Sequence, residues 1–191
     1  MSEQASPTIE KYFESIEKTV DQEYKIAGAA RLLGHDPEKR VDSPLARNMV
    51  ERVEGLISAV APQLIGSGVT ERMFELEKQY GVLDWRVSLV IAHEVGEQKF
   101  CEFKTKKEAM EVGIRTGFAY HTLGIVAAPL EGFIGLDIKK TNDGKEYFSV
   151  RFAGPIRGAG GTGASLCVLI ADYVRKKMGY APYDPDEKEI K

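Results

Sequence analysis

Cysteine is scarce in this chain: Cys101 and Cys167 are the only two among 191 residues. Two thiols make no disulfide framework, and nothing else suggests an oxidising compartment, so both read as small buried thiols. A zinc site needs about four ligands in paired spacing, whereas His35, His93 and His121 stand far apart and far from any second ligand. Long apolar runs are also missing. The uncharged stretch Thr116 to Leu130 holds two glycines, a histidine and a proline, while a bilayer span needs about 20 apolar residues. The opening residues, MSEQASPTIEKYFESIEK, are acidic and contain no apolar signal core. No membrane partner is expected, and the expected location is cytoplasmic. No Lys-Ser or Lys-Thr follows a glycine run, which excludes a Walker phosphate loop. No DxD pair of carboxylates stands where two magnesium ions could be assembled, as polymerase-type chemistry requires. No catalytic residue and no metal ligand is therefore assigned.

What is present suits a globular protein. Hydrophobic residues make up 43% and charged residues 29%, enough for one compact domain or two small ones. The net charge of −3 is unevenly spread: residues 1–95 hold 11 Lys/Arg against 16 Asp/Glu, and residues 104–177 hold 12 against 7. An anionic partner would be welcome on the second half.

The first half reads as helices. Ser6-Pro7 is a start signal, Ile9, Tyr12, Phe13, Ile16 and Val20 recur at helical spacing, and Gly34 supplies the stop. Ser43-Pro44 opens a second helix carrying Leu45, Met49, Val53, Leu56 and Val60. A third runs from about Thr70 to Tyr80, closed by Gly81, and Asp84 caps a fourth with Trp85, Leu89, Ala92 and Val95 or their neighbours turned inward. Thr105 and Glu108 form a capping box that starts a fifth helix reaching about Leu123.

The period then changes. Leu130, Gly132, Ile134, Leu136 and Ile138 alternate with polar neighbours up to Lys139, the pattern of a half-buried strand. Asn142-Asp143-Gly144 signals a tight turn, and Glu146 to Ala153 returns with Phe148, Val150 and Phe152 on one face. A last helix is expected from about Ala164 to Met178. The fold class is α+β: a mainly helical N-terminal half, then an antiparallel β-hairpin or small sheet, a glycine-rich loop and a C-terminal helix. The expected division is a helical region over 1–104, an α+β region over 105–180, and a charged linker or truncated element over 181–191. A two-stranded hairpin is marginal alone, so further strands come from missed elements or from chain beyond Lys191.

The passage Ala153 to Ser165, AGPIRGAGGTGAS, concentrates the chemistry. Its GAGGTG formally matches the GxGxxG dinucleotide fingerprint, but no second parallel strand follows, and Asp184 and Asp186 fall in the tail. A nucleotide-binding enzyme is thus the weaker alternative. Gly158, Gly160 and Gly161 let another molecule approach the backbone, Thr162 offers a hydroxyl, and Arg157 a forked cation. Lys139 and Lys140 beside the hairpin turn could also meet phosphates. These seven residues are the candidate nucleic-acid contacts. Glycines that only allow strand to pack on helix are the competing explanation, as is helix capping for Arg175-Lys176-Lys177. His121 beside Tyr120 reads as a satisfied, half-buried histidine.

FAGPIRGAGGTGAS, preceded by RTGFAYHTLGIVAAPLEGFIGLDIKKTNDGKEYFSVR, resembles the N-terminal region of the large subunit of archaeal family-D DNA polymerase. YFESIEKTVDQEYKIA, PLARNMVERVEGLI and ELEKQYGVLDWRVSLVIA extend the likeness over nearly the whole chain. Gly158, where a serine is expected, and Gly163 depart from the family pattern, and these two glycines create the GxGxxG match. The resemblance implies a replicative polymerase of large and small subunits, acting on primer-template DNA. It places the catalytic aspartates, their magnesium and the zinc modules in later parts of the large subunit, and the 3′–5′ exonuclease in the small subunit. No cofactor is then expected in this chain, whose role would be scaffolding, DNA contact, or assembly with the remaining large subunit, the small subunit or a second copy.

Overall fold

The computed structural model describes residues 6–35, 46–122 and 128–190. Packing divides the chain into two compact units, Met1–Leu45 and Ala46–Lys191. The first holds α1 (Pro7–Leu32), whose N-terminus is capped as the Ser-Pro signal predicts: Ser6 Oγ accepts the Ile9 N–H at 3.4 Å. Gly34, at φ +86°, follows the end of the helix in the left-handed conformation that glycine tolerates.

The second unit runs α2 (Met49–Ile57), a 3₁₀ turn (Pro62–Leu64), α3 (Val69–Tyr80), α4 (Trp85–Gly96), α5 (Lys106–His121), a π turn (Ala128–Gly132), β1 (Phe133–Lys140), β2 (Glu146–Phe152), α6 (Gly154–Ala159) and α7 (Gly161–Lys177). The fold is α+β as expected. Among the described residues the sheet has two antiparallel strands.

Two apolar cores share α4 and α5 as a common wall. One gathers Val53, Ile57, Met73 and Leu76 around Val87, Ile91 and Tyr120. The other sets Met110, Ile114 and Phe118 against Phe133 and Leu136 of β1 and Cys167, Ile170 and Val174 of α7. The wall is thin because two glycines one turn apart on α5 face α4. A Cβ on Gly113 would strike the Ala92 carbonyl, and one on Gly117 would sit 2.5 Å from the Ser88 carbonyl. Contacts that tight admit no side chain.

Helix caps follow the sequence closely. Thr105 Oγ1 accepts the Glu108 N–H at 3.0 Å, Asp84 Oδ1 accepts the Arg86 N–H at 2.9 Å, and Gly81 ends α3. The second helix differs. Ser43-Pro44 and Leu45 lie outside the described residues, residues 46–48 are not helical, and α2 begins at Met49. Asn48 Oδ1 accepts the Glu51 N–H there at 2.9 Å, and Glu51 Oε2 accepts the Arg47 N–H at 2.8 Å. That reciprocal pair caps the start of α2. Trp85 is 53% exposed instead of inward, because the first turn of α4 emerges from the surface turn at Gly81–Asp84.

The strand pattern needs a larger correction. β1 starts at Phe133, since residues 128–132 coil into the π turn. Register then steps from Phe133↔Phe152 to Gly135↔Arg151, which leaves Ile134 as the extra residue of a β-bulge. The alternation therefore inverts at that point: Phe133 is buried and Ile134 is 45% exposed. Beyond the bulge Leu136 and Ile138 face the core as expected, as do Phe148, Val150 and Phe152 of β2. The hairpin turn also forms as expected, with Gly144 at φ +81°.

The glycine-rich passage is not an open loop. It folds into α6 and α7, which meet at Gly160. After α7 the chain returns to the hairpin. The Ala181 N–H donates to the Glu146 carbonyl at 2.8 Å, and the Tyr183 ring lies 5.0 Å from that of Tyr147. Both cysteines are free, Cys167 buried and Cys101 half-buried.

Candidate nucleic-acid interface

Two side chains of α5 meet the segment that leads into β1. Glu111 and Arg115, one helical turn apart, both reach the bulged start of β1. The Leu136 N–H donates to Glu111 Oε1 at 2.9 Å, and Gly135 leaves room for that carboxylate, which a Cβ would approach to 2.6 Å. Arg115 donates Nη1 to the Pro129, Leu130 and Phe133 carbonyls at 2.7, 2.8 and 2.5 Å, and Nη2 to Ile134 at 2.7 Å. Burial pushes its pKa down, with Glu111 opposing, and the guanidinium stays charged at any physiological pH.

From this anchored segment the path continues to α6. The Ala153 N–H donates to the Gly132 carbonyl at 2.9 Å, and Ile156 Cγ2 lies 3.0 Å from where a Gly132 Cβ would be. Ile156 also closes on Gly160, whose Cβ would meet the Ile156 carbonyl and come within 2.7 Å of the Ala164 Cβ. Gly160 is thus required by packing between α6 and α7, a contact of helix with helix and not of strand with helix. Gly161, at φ +46°, is required by backbone conformation. Gly158 and Gly163 have open space around the Cβ position and no positive φ, so the fold demands glycine at neither.

Of the seven candidate contacts, five gather at this turn. Arg157 is exposed in the last turn of α6, and no hydrogen bond or ion pair joins it to the described residues. Gly158, Gly161 and Thr162 are exposed and Gly160 half-buried. The N-terminus of α7, a 17-residue helix, carries no side-chain cap, and its first residues Gly161 and Thr162 are exposed. Lys139 and Lys140 are not part of this group. They pair with Tyr147 and Glu146 at the far end of the hairpin, about 20 Å of strand from the Phe133–Phe152 end.

Other titratable groups serve the cores. Glu94 is buried and accepts Arg72 Nε and Nη2 at 2.8 and 3.0 Å, with Lys99 Nζ at 3.4 Å. Burial pushes its carboxyl up, but Arg72 and Lys99 outweigh that and hold it below its ordinary value. The Leu83 N–H donates to Tyr120 Oη at 2.9 Å, which donates to Glu77 Oε1 at 2.6 Å. Burial and Glu77 raise the Tyr120 pKa strongly. His121 is half-buried as expected but not satisfied: its Nε2 is buried with no hydrogen-bond partner among the described residues. Burial holds its pKa below the ordinary value, with Asp84 opposing. Arg175 meets Asp172 at 2.8 Å and donates to the Tyr180 carbonyl at 2.6 Å, consistent with a C-terminal capping role. No group of three or more His, Cys, Asp or Glu among the described residues could hold a metal ion. No helix among them is long and apolar enough to cross a membrane.

Sequence reasoning missed Glu111 and Arg115. At i and i+4 on a helix they read as an ordinary surface pair, and nothing local indicates that both turn toward a strand about 20 residues on.

Comparison with known proteins identifies a family. A family described as "DNA polymerase II large subunit DP2, N-terminal" matches residues 11–191. The DNA polymerase II large subunit of Nanoarchaeum equitans is 48% identical over 179 residues, covering 94% of this chain and 14% of that protein. The large subunit of Thermococcus kodakarensis is 41% identical over 193 residues, covering 100% of this chain and 10% of that protein. For Pyrococcus furiosus the identity is 41% over 184 residues, with 95% and 14% covered. The chain thus spans about a tenth to a seventh of the length of these relatives. With a match this complete across both cores and the glycine-rich turn, the chain belongs to the family of the N-terminal region of the DNA polymerase II large subunit.

Proposed function

We propose that the chain is a non-catalytic N-terminal module of an archaeal replicative DNA polymerase, and that its Arg157–Thr162 turn approaches the DNA backbone. The intact protein would be a large subunit joined to a small one, performing template-directed DNA synthesis. Its catalytic magnesium and its zinc would belong to later parts of the large subunit, and the exonuclease to the small subunit. The observation that carries the DNA contact is an exposed Arg157, without a partner among the described residues, beside the N-terminus of α7, which has no side-chain cap. An exposed cation close in sequence to the uncapped start of a helix suits a phosphate. Gly158-Ala-Gly-Gly161, spanning the end of α6 and the start of α7, also spells GxxG, a pattern that other nucleic-acid-binding modules use to clamp the sugar-phosphate backbone.

Arg157→Ala tests this in the full-length large subunit assembled with its small subunit. Primer-template affinity should fall, and the slope of log affinity against log salt should shrink by about one. Unchanged affinity and slope would refute the DNA contact.

A second reading is assembly without DNA, in which the same face packs on another domain or on a second copy. It is favoured by Val168 and Leu169, which lie 48% exposed on α7. On that reading Leu169→Ser disrupts association of the subunits and Arg157→Ala leaves DNA binding intact. The dinucleotide alternative has lost its local support, because the glycines lie in and between helices and the preceding strands are antiparallel.

A further inference from the structure

Arg115 is satisfied almost wholly by backbone. Its guanidinium takes four carbonyls, those of residues 129, 130, 133 and 134, and the Phe133 ring lies 4.9 Å from its centre. Three of the four converge on Nη1, which has two protons, so the bonds are shared. No carboxylate pairs with it among the described ion pairs, although Glu111 stands one turn away and is engaged by Leu136 and by Lys107 at 3.6 Å. An apolar side chain could hold a helix against a strand without burying a cation. The arrangement accomplishes something an apolar contact does not: it fixes the path of the π turn and bulge, carbonyl by carbonyl.

That path determines where the glycine-rich turn sits. Gly132, inside the gripped segment, accepts the Ala153 N–H and receives Ile156, and Ile156 in turn closes on Gly160. We infer that Arg115 is a positioning residue for the glycine-rich turn, setting Arg157 and the N-terminus of α7 through Gly132 and Ile156 without touching the bound partner itself. The link to DNA rests on the function proposed above, whereas the positioning does not.

Hydrogen exchange read by mass spectrometry in the full-length large subunit with its small subunit tests the positioning. Lysine keeps the charge of Arg115→Lys but cannot serve four carbonyls from one planar fork. Exchange over residues 153–163 should quicken about tenfold, with α2 and α3 unchanged. No change there, or equal quickening in every helix, would overturn the inference. Should that variant not fold, Ile156→Ala severs the same link while leaving Arg115 in place. It should quicken 156–163 and spare 128–134, and a failure to do so is equally decisive. Primer-template affinity separates the two ideas. Arg115→Lys should lower it about threefold or more in the wild-type background and have no further effect when Arg157→Ala is present, as expected of coupled residues. Equal loss in both backgrounds means that Arg115 does not act through Arg157. If Arg157→Ala alone changes nothing, the DNA reading fails and the exchange result still decides the positioning.

Discussion

Glycines within one short passage serve different ends, and single substitutions separate them. Gly160 abuts the Ile156 carbonyl, so Gly160→Ala should cost about 1–3 kcal/mol through forced displacement. Gly163 sits in open space near the start of α7, so Gly163→Ala should be neutral or stabilising by about 0.5–1 kcal/mol. Urea unfolding midpoints of the two variants would check this contrast. Acid should act through other residues. His93 and His121 are held below their ordinary pKa chiefly by burial, so their neutral forms favour the fold. That stability is full above pH 6.5 and is lost as pH falls through the folded values. Glu94, held low by Arg72 against the opposing effect of burial, contributes above pH 4.5 and is lost below it. His121→Gln should therefore flatten the decline in unfolding midpoint between about pH 7 and 5, and Glu94→Gln the decline between about pH 5 and 3. Identical pH profiles for wild type and variants would contradict these assignments.

At the scale of elements, α4 and α5 pack closely at Gly113 and Gly117, and both cores draw residues from these two helices. Gly117→Ala places a methyl 2.5 Å from the Ser88 carbonyl and 3.0 Å from the Ala92 Cβ. The helices must part, which should destabilise by about 1–3 kcal/mol or more, measured by thermal unfolding. Element ends were the most legible feature of the sequence. Ser6, Asp84, Thr105, Gly34 and Gly81 all act where their local chemistry predicts. Capping is decided within four residues, so a sequence can carry it. The bulge at Ile134 was not legible: an alternating run looks the same with or without an extra residue, and the decision came from Glu111 and Arg115 of another element. Nor was the helical state of 154–159, since glycines disfavour helix locally and packing of Ile156 on Gly132 stabilises it here.

For the whole molecule, charge and family membership set the terms. The chain is acidic overall, at −3, and its basic excess lies in residues 104–177, which include α5 to α7. On the proposed reading, attraction of DNA to the chain is a local matter, and the Arg157→Ala test belongs in the full-length assembly proposed above, where flanking domains would set the background field. Composition excluded a disulfide scaffold, and the motifs of Arg115 to Tyr173 were enough to suggest the polymerase family that the relatives then showed. Fold class, most helices and the hairpin were determined by the sequence itself, because periodicity, caps and turns act over a few residues. The tertiary structure alone decided two things: the start of β1 and the conversion of a supposed loop into two helices. Each depends on contacts between residues roughly 20 or more positions apart, such as Arg115 with Phe133 and Gly132 with Ile156, and such distant contacts leave no mark on local pattern.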